Sequence, residues 1–136
     1  MFKFKIVTPD GITYDDMIES VTIPTETGEI TILEHHTTIV SVLRAGELQV
    51  HKKDQDVSIA VSGGVVEVRE TGDVYVLADT AERAEHIDVE RAEIARKRAE
   101  ELLAQAQHAD DIDFARIQAA IEKELARIHV GKKYRK

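Results

Sequence analysis

Five charged residues in the second half of the chain have the types and spacing to hold a polyphosphate: Asp88, Arg91, Arg116, Lys123 and Arg127. At 100° per residue, Arg116, Lys123 and Arg127 fall on one side of a helix, opposite a stripe of Phe114, Ile117, Ile121, Leu125 and Ile128. Asp88 and Arg91 stand at the start of a preceding helical segment, whose N-terminus also favours anions. Cations converging from two helices could hold a triphosphate. On spacing alone the same residues read more readily as a solvated charged face, with Asp88 capping its helix and pairing with Arg91 at i,i+3. The closing run GKKYRK, with Lys132, Lys133 and Arg135, is strongly cationic and suits either a solvated end or contact with an acidic partner.

Nothing elsewhere assembles a catalytic set. The phosphate-cradling, dinucleotide and zinc-protease motifs are all missing. His35-His36 could offer a metal two ligands, but neighbours on an extended segment point to opposite sides, and no third ligand has metal-site spacing. No metal site is expected. Asp15-Asp16 and the Asp54/Asp56 pair read as turn and solvation residues, and Ser62-Gly63-Gly64 as a bulge or hairpin turn between two strands.

The elements that must position these residues change kind near residue 87. Six of the seven glycines and both prolines lie before it, and ten of the fifteen alanines after it. In the first part, turn signals at Pro9-Asp10-Gly11, Thr27-Gly28, Ala45-Gly46, Lys53-Asp54, Gly63-Gly64 and Thr71-Gly72 separate short β-branched segments. Phe2, Phe4 and Ile6 alternate with lysines; Ile59 and Val61, and Val74 and Val76, repeat the pattern. About eight strands without intervening helices predict an antiparallel β-sandwich or barrel over residues 1–86. From residue 87 the period becomes helical. Ala92, Ala95, Ala99, Leu102, Leu103 and Ala106 form a narrow stripe on a first helix capped by Asp88. Gln107 and His108 lead to a fresh cap among Asp110-Asp111-Ile112-Asp113, and a second helix closes at Gly131. Residues 87–136 thus predict an antiparallel two-helix hairpin. Its alanine seam buries little apolar area, so the hairpin should be held weakly, within reach of a ligand or partner.

Charge is divided unevenly. Residues 1–86 carry 7 Lys/Arg against 16 Asp/Glu, and residues 87–136 carry 11 against 10, giving −9 and +1 within the net −8. So acidic a front half argues against nucleic acid. The chain lacks cysteine, which excludes disulfides and thiolate chemistry. No apolar run approaches the ~18–20 residues that cross a bilayer, so direct membrane insertion is not expected. The Met1-Phe-Lys-Phe-Lys start reads as a strand, not a signal peptide.

Ordered motifs span the whole chain: TPDG at Thr8–Gly11, GEITIL at Gly28–Leu33, SGGVVEV at Ser62–Val68, VLADTAERAEHID at Val76–Asp88 and DIDFAR at Asp111–Arg116. In these the sequence closely resembles the ε subunits of bacterial rotary F-type ATP synthases, whose mitochondrial counterpart is called δ. It departs where that family usually reads GILPGH; Thr31–His36 here is TILEHH, which alters the partner surface.

The resemblance implies a non-catalytic central-stalk subunit on the cytoplasmic face of the cell membrane. A ten-stranded sandwich would dock on the γ subunit and the c-ring, coupling proton flow to rotation. The hairpin would permit turnover when folded and block ATP hydrolysis when extended into the catalytic head, where Arg116, Lys123, Arg127, Lys132, Lys133 and Arg135 would meet the α and β subunits. Some bacillus members also bind ATP as a regulatory ligand through a motif of Ile or Leu, Asp, two variable residues, Arg and Ala. Ile87-Asp88-Val89-Glu90-Arg91-Ala92 matches each fixed position. By the same resemblance Glu82 and Arg127 align with further ATP contacts, and Lys123 stands where the family has a second arginine. Lysine keeps the charge and loses the planar fork, so weakened binding is expected. No cofactor is required, and magnesium alongside the ATP is left open. The alternative is a stand-alone sensor module for a small ligand or nucleotide.

Overall fold

A computed structural model describes residues 1–105 and 111–134. Eight strands come first: β1 Phe2–Thr8, β2 Gly11–Ile18, β3 Ser20–Thr25, β4 Gly28–Leu33, β5 Ile39–Val42, β6 Gly46–His51, β7 Asp56–Val68 and β8 Val74–Arg83. A 3-10 turn, Ala84–His86, leads to helices α1 Val89–Gln105 and α2 Asp111–Tyr134. Hydrogen bonding runs β2-β1-β8-β7-β6-β3-β4, with β5 also on β7. The expected sandwich followed by a helical hairpin is therefore present.

The ten strands implied by resemblance are eight here, because β7 and β8 are long enough to serve both layers. β7 pairs with β6 along residues 56–61 and with β5 along 65–68, and with β8 on both sides of its middle. Ser62-Gly63-Gly64 is consequently no hairpin turn, since the strand runs on through it. A Cβ on Gly64 would lie 2.0 Å from the Leu77 carbonyl oxygen, and its φ of 122° is one that side chains avoid. Glycine lets the two long strands bend together there. One pair departs from the antiparallel expectation: β1 lies parallel to β8. The intervening chain is ample for the crossover a parallel pair needs. Asp15 and Asp16 lie on β2, not in a turn, and Asp16 is ion-paired with Lys52.

Strand alternation places Phe2, Phe4, Ile6, Ile59, Val61, Val74 and Val76 inside, joined by Ile18, Val21, Ile23, Ile32 and Leu48. Side chains of this size each contribute about 1.5–3 kcal/mol on full burial. A second, small cluster of Ala60, Ala84, Ile87, Val89 and Val130 fastens the helices to the sandwich.

The hairpin departs from its expected packing. Ala92 and Ala99 of the α1 stripe are buried, whereas Leu102 is exposed; Ala106 lies outside the described residues. On α2 only Ile121 of the predicted stripe is fully buried, and Phe114 and Leu125 are exposed, because the small alanine surface of α1 covers little of it. Gly131 does not end α2, which continues to Tyr134. A Cβ there would meet Val89 Cγ2 at 2.5 Å and Ile87 Cγ2 at 3.1 Å, so the glycine is a notch for the start of α1. Gln107, His108, Asp110 and Arg135 lie outside the described residues.

Candidate functional site

α2 lies between α1 and the sandwich, and its neighbours there are β6, β7 and the 3-10 turn. Lys132 pairs with Glu93 of α1 at 3.1 Å, while Lys133 reaches Glu47 of β6 at 3.1 Å. A 100° step separates those two lysines, so adjacent sides of the last turn reach α1 and the sandwich. Arg127 reaches Glu82 of β8, and Arg116 and Lys123 line clefts against the sandwich, so the side bearing these three cations faces the sandwich.

Two of the clefts along that contact are lined by these cations. The larger, 420 Å³, is lined by Arg44, Ser62, Asp79 and Thr80 from the sandwich and by Arg116 and Lys123 from α2, among others. The smaller, 310 Å³, is bounded by Thr8, Asp10, Ala60, Thr80, Ala81 and Glu82 opposite Lys123 and Arg127. Lys123 lines both. Glu82, Lys123 and Arg127 are thus brought together from β8 and α2, although 41 residues separate Glu82 from Lys123 in the chain.

Within this cleft Arg127 is held by two carboxylates. Its Nε donates to Glu82 Oε2 at 2.8 Å, and its Nη1 donates to both oxygens of Glu124, at 3.1 and 2.9 Å. Burial opposes the guanidinium charge, but the bonds and charges of Glu82 and Glu124 outweigh it and raise the Arg127 pKa above its usual range. Glu124 was not singled out from sequence. Three residues before Arg127 on a helix, it had the spacing of an ordinary surface pair, yet it is only 6% exposed.

The remaining motif residues take structural posts in this conformation. Asp88 Oδ1 accepts the backbone N–H of Arg91 at 3.1 Å, the cap read from sequence. Ile87 and Ala92 are buried, and Arg91 is exposed. None of these four lines the cleft that holds Lys123 and Arg127. Arg116 is exposed and lines the larger cleft.

On the sandwich side, Glu47 is the anchor for the end of α2. It accepts from Ser58 Oγ at 2.9 Å and from Lys133, with His129 Nε2 3.9 Å away. Burial pushes its carboxyl up, yet the bonds from Lys133, Ser58 and Gln49 prevail and leave it below the usual carboxylate range. No group of metal-binding side chains occurs among the described residues, and no described helix is long and apolar enough to cross a membrane.

Comparison with known proteins covers both halves. Residues 1–84 match the family described as the beta-sandwich domain of the ATP synthase Delta/Epsilon chain, and residues 85–132 match its long alpha-helix domain. The ATP synthase epsilon chain of Bacillus licheniformis is 42% identical over 130 residues, covering 96% of this chain and 97% of that one. Among solved structures, a chain of the Euglena gracilis mitochondrial ATP synthase (OSCP/F1/c-ring) superposes with a TM-score of 0.75 at 25% identity, over 92% of this chain and 78% of its own. A chain of the Tetrahymena thermophila mitochondrial ATP synthase central stalk and c-ring shares the fold, with a TM-score of 0.62 at 14% identity over 99% and 96% of the two chains.

Proposed function

The chain belongs to the ATP synthase delta/epsilon family, and from that premise we propose that it is a non-catalytic rotor subunit whose hairpin regulates ATP hydrolysis. The sandwich docks on the γ subunit and the c-ring, as the c-ring and central-stalk settings of the similar structures suggest, and the chain works at the periphery of the membrane on its cytoplasmic face. Catalysis belongs to other subunits. When the hairpin extends, the cations on α2, Arg116, Lys123, Arg127, Lys132 and Lys133, meet acidic surfaces of the α and β subunits. Arg135 follows in the same tail.

The observation that carries this reading is the way the hairpin is fastened. α1 leans mainly on α2, and α2 is held to the sandwich by a small apolar cluster, by Arg127–Glu82 and by Lys133–Glu47. Few and largely polar fastenings suit an arm that detaches, because lost ion pairs are partly replaced by water. Detachment would release Lys133 from Glu47 and Arg127 from Glu82.

ATP is proposed as the ligand that favours the folded arm, bound by Glu82, Ile87, Asp88, Arg91, Ala92, Lys123 and Arg127, with or without magnesium. Glu82, Lys123 and Arg127 already share a cleft. Because Asp88 and Arg91 lie outside its lining, ATP would have to reach from that cleft to the start of α1. The stand-alone sensor reading has no separate support, since both matched domains are those of ATP synthase chains.

The test is a holoenzyme carrying the subunit truncated after Ile87. The complex should still assemble through the sandwich and hydrolyse ATP faster than the complex with the full chain. Equal rates would remove the brake from the hairpin.

A further inference from the structure

Arg127 is already occupied. Its Nε and Nη2 are turned to Glu82, at 2.8 and 3.5 Å, and its Nη1 is shared between both oxygens of Glu124. The three side chains together carry a net charge of −1. Asp10 on the same cleft makes the surroundings more negative, and Lys123 is the other cation lining it. A phosphate entering here meets a guanidinium whose fork is engaged and whose charge is more than balanced.

Glu82 and Glu124 are not equivalent competitors. Glu82 comes from β8 and is the more exposed of the two carboxylates, so it can turn to water when displaced. Glu124 comes from α2 itself, one turn before Arg127, and is buried. Among the described residues, Arg127 is its ion-pair partner. Taking Arg127 away would leave a buried carboxylate uncompensated, which is strongly unfavourable. The pair also travels together, because both residues ride on one helix whether the hairpin is folded or extended.

We propose that Glu124 is a built-in competitor for Arg127, a resident anion that sets how weakly this cleft binds the phosphates of a nucleotide. The proposal rests on the nucleotide reading above and names the residue that tunes it. Lys123, lacking a fork, cannot take over the bidentate contact that Glu124 withholds. Affinity is therefore governed by a carboxylate outside the sequence motif. The fold turns a phosphate site into one that answers only to abundant or highly charged ligands.

The experiment is calorimetric titration of the full chain and its variants with inorganic tripolyphosphate and with inorganic phosphate. Glu124→Gln removes the competing charge while keeping the side-chain volume, and should tighten tripolyphosphate about tenfold, as expected for a freed charge-assisted pair. The gain should be larger for tripolyphosphate than for phosphate and should shrink in high salt, whereas mere loosening of the hairpin would change both ligands alike. If Glu124→Gln loses helical ellipticity, Glu124→Asp, which draws the carboxylate back by one methylene, carries the same expectation in smaller measure. Arg127→Ala separates the two ideas. Should Arg127→Ala weaken binding while neither Glu124 variant tightens it, the competitor role fails and the site stands. Should Arg127→Ala bind as well as the unaltered chain, or should no variant bind tripolyphosphate, both fall.

Discussion

A single glycine shows how residue chemistry is rewritten by packing. Gly131, followed by lysines, has the sequence signature of a helix stop, and such a residue commonly supplies the left-handed cap. In the structure it lies inside α2 because its missing side chain is needed elsewhere: the Val89 and Ile87 methyls occupy the space a Cβ would take. Gly131→Ala should gain helix propensity, by up to ~1 kcal/mol, and lose more through overpacking, typically ~1–3 kcal/mol. The net expectation is a lower urea midpoint for helical ellipticity, with the sandwich transition little changed. A higher midpoint would mean that α1 can shift aside without loss. Nothing in the sequence distinguishes these two uses of glycine, since the partner methyls arrive from some 42 residues earlier. The Asp88 cap, by contrast, was legible because donor and acceptor lie three residues apart. Glu124 was illegible for the opposite reason: its spacing from Arg127 looks like a surface pair, and only packing in the folded chain makes it buried.

Between elements, the end of α2 is tied to β6 through Glu47, whose side chain is 13% exposed and whose carboxyl is held below the usual range chiefly by Lys133 against the opposing effect of burial. A carboxyl with a folded pKa below its unfolded one contributes stability that is complete above the unfolded value, about 4.3, and is lost as pH falls through the folded value. The difference in hairpin stability between the unaltered chain and Glu47→Gln should therefore be constant near neutrality and be lost in acid as pH falls through the folded value. Asp16 and Glu34 are shifted in the same direction by Lys52 and by the chain's N-terminus, so the comparison with Glu47→Gln is what isolates the α2 contact. A difference that persists unchanged to pH 3 would show that the Glu47–Lys133 bond is not what anchors the helix. At this scale the strands were readable from alternation alone, because each β residue's face follows from its neighbours two positions away. The rotation of α2 was not. Its apolar stripe and its cationic side could each have met the sandwich, and the winning arrangement depends on Glu47 and Glu82, which belong to other elements.

For the molecule as a whole, the layered order of sandwich, α2 and α1 predicts a gradient of stability. The sandwich holds a continuous core in which Phe4, Ile6, Ile59, Val66 and Val76 are inaccessible, and β7 and β8 tie its two layers together. α1 contributes Val89, Ala92 and Ala99 as its buried residues, two of them alanines that remove little apolar area from water. Opening the hairpin thus exposes far less surface than opening the sandwich, and local opening follows the surface exposed. Native-state hydrogen exchange on the full chain should find α1 amides exchanging fastest, α2 amides next and those of β7 and β8 slowest. Because α2 cannot leave the sandwich without carrying α1, the two helices should approach one common opening free energy in mild denaturant, below that of the strands. Helix amides as protected as those of β7 and β8 would mean that arm and sandwich open only together, and an arm of that kind could not extend while its sandwich stays docked.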